Sequence, residues 1–313
     1  MVASVAAMEG GITMPSRRHQ LAVLVVRAAK LKTSFSSEAG VRKSIEKSRP
    51  RDAKRRQVPA HVAKQCAVTT TSSTGFPIVV LTPRSPSVGT MVFSHGGAYI
   101  GELQSIHWRF CAWVATTLNL TVHVPLYPLA PEHTWRATIP ALTEYCEHLV
   151  AEGPVVLCGD SAGGGLTLAM AERLVAAGRT PTSLVLISPW LDATADDAEM
   201  HAAAADDPLL SVPGLLVAGA MWAGDDDPAD PEISPLKGNL AGLPPTMVLT
   251  GTRDLLNVDA RRFATAARTA GVAVTMVDEP GLLHDFPLFP IPEGKRARAQ
   301  IRDFVTTVLH TAH

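Results

Sequence analysis

The chain has 313 residues, 46% of them apolar, enough to fill one large core with an insertion or two. Charged residues make up 18% and the formal net charge is -1, which excludes a strong overall pull toward nucleic acid or an anionic membrane and points to small, neutral partners. The four cysteines, Cys66, Cys111, Cys146 and Cys158, have neither metal-ligand spacing nor the density of a disulfide scaffold, which fits a reducing, cytoplasmic setting.

In chain order, residues 1–20 lack the basic region, apolar stretch and small-residue cleavage site of a secretory signal. Leu21 to Val26 is apolar but far too short to span a bilayer. Flanked by Arg17, Arg18, Arg27 and Lys30, it reads as a helix face buried against the rest of the chain, with contact to a lipid surface as the weaker alternative. Residues 1–64 hold 14 of the 28 Lys and Arg against four acids, whereas residues 192–236 hold eleven acids and no Lys or Arg. Two such segments are candidates to lie side by side, or else are separate solvated surfaces.

From residue 62 onward, strands and helices alternate, the mark of a mainly parallel sheet covered by helices. Apolar runs predict buried strands at Ile78 to Leu81, Thr90 to Phe93, Leu120 to Val124, Val155 to Cys158, Leu184 to Ile187, Thr246 to Leu249 and Val272 to Val277. Helical spacing predicts helices over 107–118, 138–151, 162–177, 257–270 and 295–310. The segment 192–234 breaks the alternation and reads as an insertion over the carboxyl edge of the sheet. No internal repeat is present.

The first chemical motif is the loop Ser94-His95-Gly96-Gly97-Ala98-Tyr99, delivered by a predicted strand. Its consecutive small residues let backbone N–H groups converge on one point, as the oxyanion of acyl transfer requires. The second is Gly159-Asp160-Ser161-Ala162-Gly163, set between a strand and a helix. A G-x-S-x-G turn in that context pushes the serine hydroxyl into the open and aims the helix N-terminus at the developing charge. A glycine-rich turn with Ser161 as an ordinary helix cap is the bland alternative.

If Ser161 is the nucleophile, the acid and then the base should follow it in the chain. His201 lies in the acidic insertion, and His310 and His313 lie in or after the last helix. That leaves His284, in the loop after the strand ending at Val277. Asp254 follows the strand Thr246 to Leu249 through a small-residue turn and is the candidate acid. Asp192 is its rival, and Asp259, inside the next predicted helix, a weaker one. His95, upstream of the nucleophile, is expected to brace its loop. Asp225-Asp226-Asp227 lacks the glycine and distal glutamate of a calcium loop and reads as a solvated turn.

These blocks together resemble the hormone-sensitive-lipase-like branch of the α/β-hydrolases. Besides His95-Gly96-Gly97-Ala98-Tyr99 and Gly159-Asp160-Ser161-Ala162-Gly163-Gly164, the chain carries Tyr127-Pro128-Leu129-Ala130-Pro131-Glu132-His133, Ile187-Ser188-Pro189-Trp190-Leu191-Asp192, Ile233-Ser234-Pro235-Leu236, Asp254-Leu255 and His284-Asp285-Phe286, in the family's order. The resemblance covers residue 65 to the end. It implies an α/β-hydrolase fold with an eight-stranded, mostly parallel sheet. The expected division is an N-terminal cap segment over 1–60, a catalytic domain over 61–191 and 235–313, and a cap insertion over 192–234.

It further implies a serine carboxylesterase with the triad Ser161, Asp254 and His284, an oxyanion hole from the N–H groups of Gly97, Ala98 and Ala162, and no cofactor or metal. The substrate would be a small ester. The low aromatic content and the Ala202 to Ala205 run suggest short or medium acyl chains. The same triad would serve an amidase, lactonase or acyltransferase, and a receptor without catalysis is the reading from another class. No stable membrane insertion is expected, and the sheet edge offers a surface for a homodimer. Two departures stand out: Ala98 replaces the third glycine of the loop, and Pro128 stands where the family has arginine.

Overall fold

All seven apolar runs become strands of one sheet in the computed structural model, which describes residues 14–311. The strands are β1 (Ala67–Thr71), β2 (Ile78–Thr82), β3 (Thr90–Ser94), β4 (Thr121–Pro125), β5 (Val155–Asp160), β6 (Ser183–Ile187), β7 (Thr246–Gly251) and β8 (Val274–Glu279). Their order is β1-β2-β4-β3-β5-β6-β7-β8. β2 pairs antiparallel with β1 and β4, and the other neighbours run parallel. The eighth strand, β1, carries no apolar run: its residues AVTTT lie at an exposed edge, where nothing forces an apolar pattern.

The inner strands bury both faces, which is why they read as unbroken apolar runs. Val155 and Leu157 of β5, with Leu184 and Leu186 of β6, pack against α6 (Ile139–Glu152), α7 (Ala162–Ala176) and α10 (Asn257–Thr269). Their neighbours Val156, Cys158, Val185 and Ile187 pack against α5 (Ser105–Trp113) and α11 (Pro292–Thr311). The predicted helix 107–118 is α5 followed by a π-helical turn, Val114–Leu118, that ends at Asn119 in the left-handed region. All four cysteines are free and buried. No described helix is long and apolar enough to cross a membrane.

The N-terminal segment is helical: α1 (Arg17–Ala28), α2 (Leu31–Ser34), α3 (Glu38–Arg55) and α4 (Ala60–Ala63). The first 13 residues of the expected 1–60 segment lie outside the described part. The segment 192–234, expected as an insertion, carries α8 (Ala198–Ala203) and α9 (Val212–Ala223), and α3 packs on α9. The basic and acidic segments thus lie side by side, but not through ion pairs. Among the described residues the insertion's acids pair with Arg136, Arg173, Lys237, Arg261 and Arg262. Contact between the segments runs through backbone: Lys32 Nζ donates to the carbonyls of Ala204 and Asp207, and Ser211 Oγ to that of Phe35. The burial expected of Leu21 to Val26 holds only for Val23. Leu21, Leu24 and Val25 are about 60% exposed (60%, 61% and 59%), because α1 touches its neighbours along a single narrow stripe.

Candidate active site

Ser161 sits between the end of β5 and the first residue of α7 with φ 52° and ψ −123°, a conformation that non-glycine residues rarely adopt. It is held there by hydrogen bonds from its N–H to Ile187 O and from Trp190 N–H to its carbonyl, both 2.9 Å. The turn tolerates no side chain at 163, where a Cβ would stand 2.0 Å from Ser94 O. The elbow is therefore pressed against the end of β3.

The loop after β3 lies alongside. Gly97 has φ +124°, and a Cβ there would meet Gly101 O at 2.4 Å. Ala98 and Tyr99 are left-handed as well, at 54° and 61°, so Ala98 accepts the strain its missing glycine would have avoided. Neither Gly97 N–H nor Ala98 N–H has a partner among the described residues, and Ala162 N–H, first in α7, has no acceptor within its helix. His95 braces the loop as expected: its Nδ1 lies 2.7 Å from Gly96 O, its carbonyl accepts from Tyr127 Oη at 2.6 Å, and its ring stacks on Tyr127.

His284 is brought to the same place by the loop after β8, and its Nδ1 lies 3.0 Å from Asp254 Oδ2. Asp254 Oδ1 accepts from Leu256 N–H. The rivals are elsewhere: Asp259 accepts from the N–H groups of Leu191 and Asp192, and Asp192 faces Lys237 and Arg262. His201 contacts Ala195 O. Asp226, in the acidic turn, pairs with Arg136 and Trp135. Ser161, His284, Gly97 and Ala98 line one cavity of about 570 Å³.

His284 Nε2 lies 3.1 Å from Asp285 Oδ2, and Ser161 Oγ has no hydrogen bond to it. Burial pulls the imidazole's pKa down, but the carboxylates of Asp254 and Asp285 outweigh it and hold the ring well above its ordinary value. Asp285 is itself pushed up to about 6, by burial first, against the pull of His284.

A model of the α/β-hydrolase fold family matches residues 91–288. The chain belongs to that family. An esterase of Acinetobacter venetianus is 34% identical to this α/β-hydrolase over 223 residues, 68% of this chain and 73% of that one. A triacylglycerol lipase of Mycobacterium tuberculosis is 36% identical over 225 residues, 70% of this chain but 46% of the lipase. Among solved structures, an esterase of the bacterial hormone-sensitive lipase family superposes with a TM-score of 0.76 at 25% identity, covering 95% of this chain and 100% of that one. The family resemblance carried by the motifs is borne out.

Three features of this α/β-hydrolase site escape the sequence. Asp285 is adjacent to His284 in the chain, but only its left-handed backbone, φ 56°, turns it onto the imidazole. Buried Asp160 lies 3.2 Å from His107 Nε2. Glu102 pairs with Arg56 of the N-terminal segment and lies 3.4 Å from His95 Nε2. Burial would raise Glu102, yet His95 and Arg56 hold it down at about 2. A charged residue inside an otherwise small or apolar motif, as Asp160 is, was the available signal.

Proposed function

We propose that this ester hydrolase cleaves short- to medium-chain carboxylic esters with Ser161 as nucleophile, His284 as general base and Asp254 as the orienting carboxylate. The observation that carries the reading is the strained Ser161 sharing a cavity with an imidazole whose other nitrogen is 3.0 Å from a buried carboxylate. A serine hydroxyl is a poor nucleophile at neutral pH, so His284 takes its proton during attack and returns it to the leaving alcohol. For that step Nε2 leaves Asp285 and turns to Ser161 Oγ. Asp254 fixes the tautomer and stabilises the imidazolium without taking the proton.

The oxyanion falls to the N–H groups of Gly97, Ala98 and Ala162, each worth about 3 kcal/mol in the transition state. Water activated by His284 then releases the acyl group from Ser161. In this reading the N-terminal helices and the 192–234 insertion form the cap, and Ile45, Ile100, Leu210 and Leu215 give the cavity its apolar wall. That wall supports a modest hydrocarbon chain, and activity rising steadily beyond about ten acyl carbons would overturn the chain-length assignment.

The deciding experiment is hydrolysis of p-nitrophenyl butyrate by wild type and Ser161→Ala, with an organophosphonate label located by mass spectrometry. Turnover should fall at least about a thousandfold in the variant, and the label should sit on Ser161. A wild type that neither turns over nor labels overturns the reading.

A further inference from the structure

The cavity that holds Ser161 has one wall unlike the rest. Six residues of α3 line it, Ser44, Ile45, Lys47, Ser48, Arg51 and Arg55, and Ser44, Lys47, Arg51 and Arg55 follow at spacings of three and four that put them on one helix face. Apolar side chains of the sheet loops and of the insertion, Ile100, Leu210 and Leu215 among them, line the same cavity. An apolar chamber with a cationic strip on its cap side suits a ligand with a hydrocarbon body and an anionic end.

The charge on that strip is not neutralised from within. Arg55 lies 3.3 Å from Asp52. Lys47 and Arg51 have no carboxylate within ion-pair distance among the described residues. The acids that also line the cavity are engaged: Glu102 with Arg56, Asp160 with His107, and Asp285 with His284. Of the eleven acids of the insertion, Asp192, Asp196, Asp197, Glu199, Asp226 and Glu232 pair with cations outside α3, and among the described residues none of the eleven lies within ion-pair distance of an α3 cation.

From this we infer that the enzyme selects esters carrying an anionic group, such as a carboxylate, held by Lys47 and Arg51 at the cap wall while the carbonyl sits on Ser161. The inference deepens the ester-hydrolase reading and rests on it. Cations at a cavity mouth concentrate an anionic substrate and lose that effect as salt screens them.

The test is the ratio of kcat/KM for an anionic ester to that for its neutral isostere. One arm puts the charge on the acyl side, p-nitrophenyl hydrogen glutarate against p-nitrophenyl 5-methylhexanoate. The other puts it on the alcohol side, the butyrate of 4-hydroxybenzoate against the butyrate of 4-isopropylphenol. In at least one arm the wild-type ratio should drop about tenfold in Lys47→Glu/Arg51→Glu, fall with rising salt, and be kept by Lys47→Arg/Arg51→Lys. The arm that responds tells which side of the ester faces α3. Ratios that do not move in either arm overturn the inference while neutral-ester turnover still stands. Failure of wild type on all four esters sinks the ester-hydrolase reading and this one with it.

Discussion

His284 stands between two carboxylates, and this arrangement sets the pH at which it can take a proton. Asp254 at Nδ1 is needed in either protonation state, but Asp285 at Nε2 stabilises only the imidazolium, which is no base. Activity should therefore rise with pH through a His284 pKa held above its ordinary value. Removing the second charge in Asp285→Asn should move the acid limb of the kcat/KM profile to lower pH and raise activity near pH 6. An acid limb that stays put, or moves up, would show that Asp285 does not act on the base. Nearby, Gly163→Ala forces a Cβ into the carbonyl of Ser94. Backbone has to move at both the elbow and the loop after β3, the proposed oxyanion loop, so activity should fall at least about a hundredfold even where the variant stays folded by circular dichroism.

At the scale of elements, the insertion is tied to the acid loop by a single side chain. Asp207 accepts from the N–H groups of Leu209 and Leu210 in its own segment and, at 2.7 Å, from Leu255 N–H, next to Asp254. Lys32 of α2 donates to the Asp207 carbonyl at 2.8 Å. One residue thus links N-terminal segment, insertion and acid loop. Asp207→Ala leaves three N–H groups unpaired, two of them buried, and should cost about 2–4 kcal/mol in denaturant unfolding, with a loss of kcat larger than any change in KM. An unchanged unfolding midpoint would sever that link. The basic and acidic composition of the two segments made them candidates to lie side by side, but only the fold shows that they do and that carbonyl groups, not carboxylates, receive the lysine. β1 was illegible for a related reason: an exposed edge strand held by backbone pairing to β2 needs no apolar pattern.

At the scale of the whole molecule, two carboxyls, Glu172 partly buried and Glu102 fully so, give stability opposite slopes with pH. Glu172 of α7 is pushed up to about 9, by burial first and then by Glu232, from an ordinary 4.5. Its contribution as a neutral acid is complete below about pH 4.5 and is lost as pH rises through about 9. Glu172→Gln should accordingly raise Tm at pH 8 and flatten the decline between pH 5 and 9; an equal decline in the variant would dismiss Glu172 as its source. Glu102, held at about 2, works the other way, contributing fully above its ordinary 4.5 and failing as pH falls through about 2.

The sequence by itself determined the sheet core and singled out the candidate triad. Strands buried on both faces, such as β5, β6 and β7, must be apolar throughout, and the chemistry of a strained serine turn admits few residue types, so those strands and the candidates Ser161, His284 and Asp254 were legible one position at a time. Tertiary structure alone decided what depends on residues distant in the chain meeting: Asp285 turned onto the base, Glu102 between Arg56 and His95, and the α3 cations facing the cavity. A net charge of -1 pointed to neutral partners, but a sum over the chain carries no direction, so it could not show the cations that the fold gathers on the α3 wall.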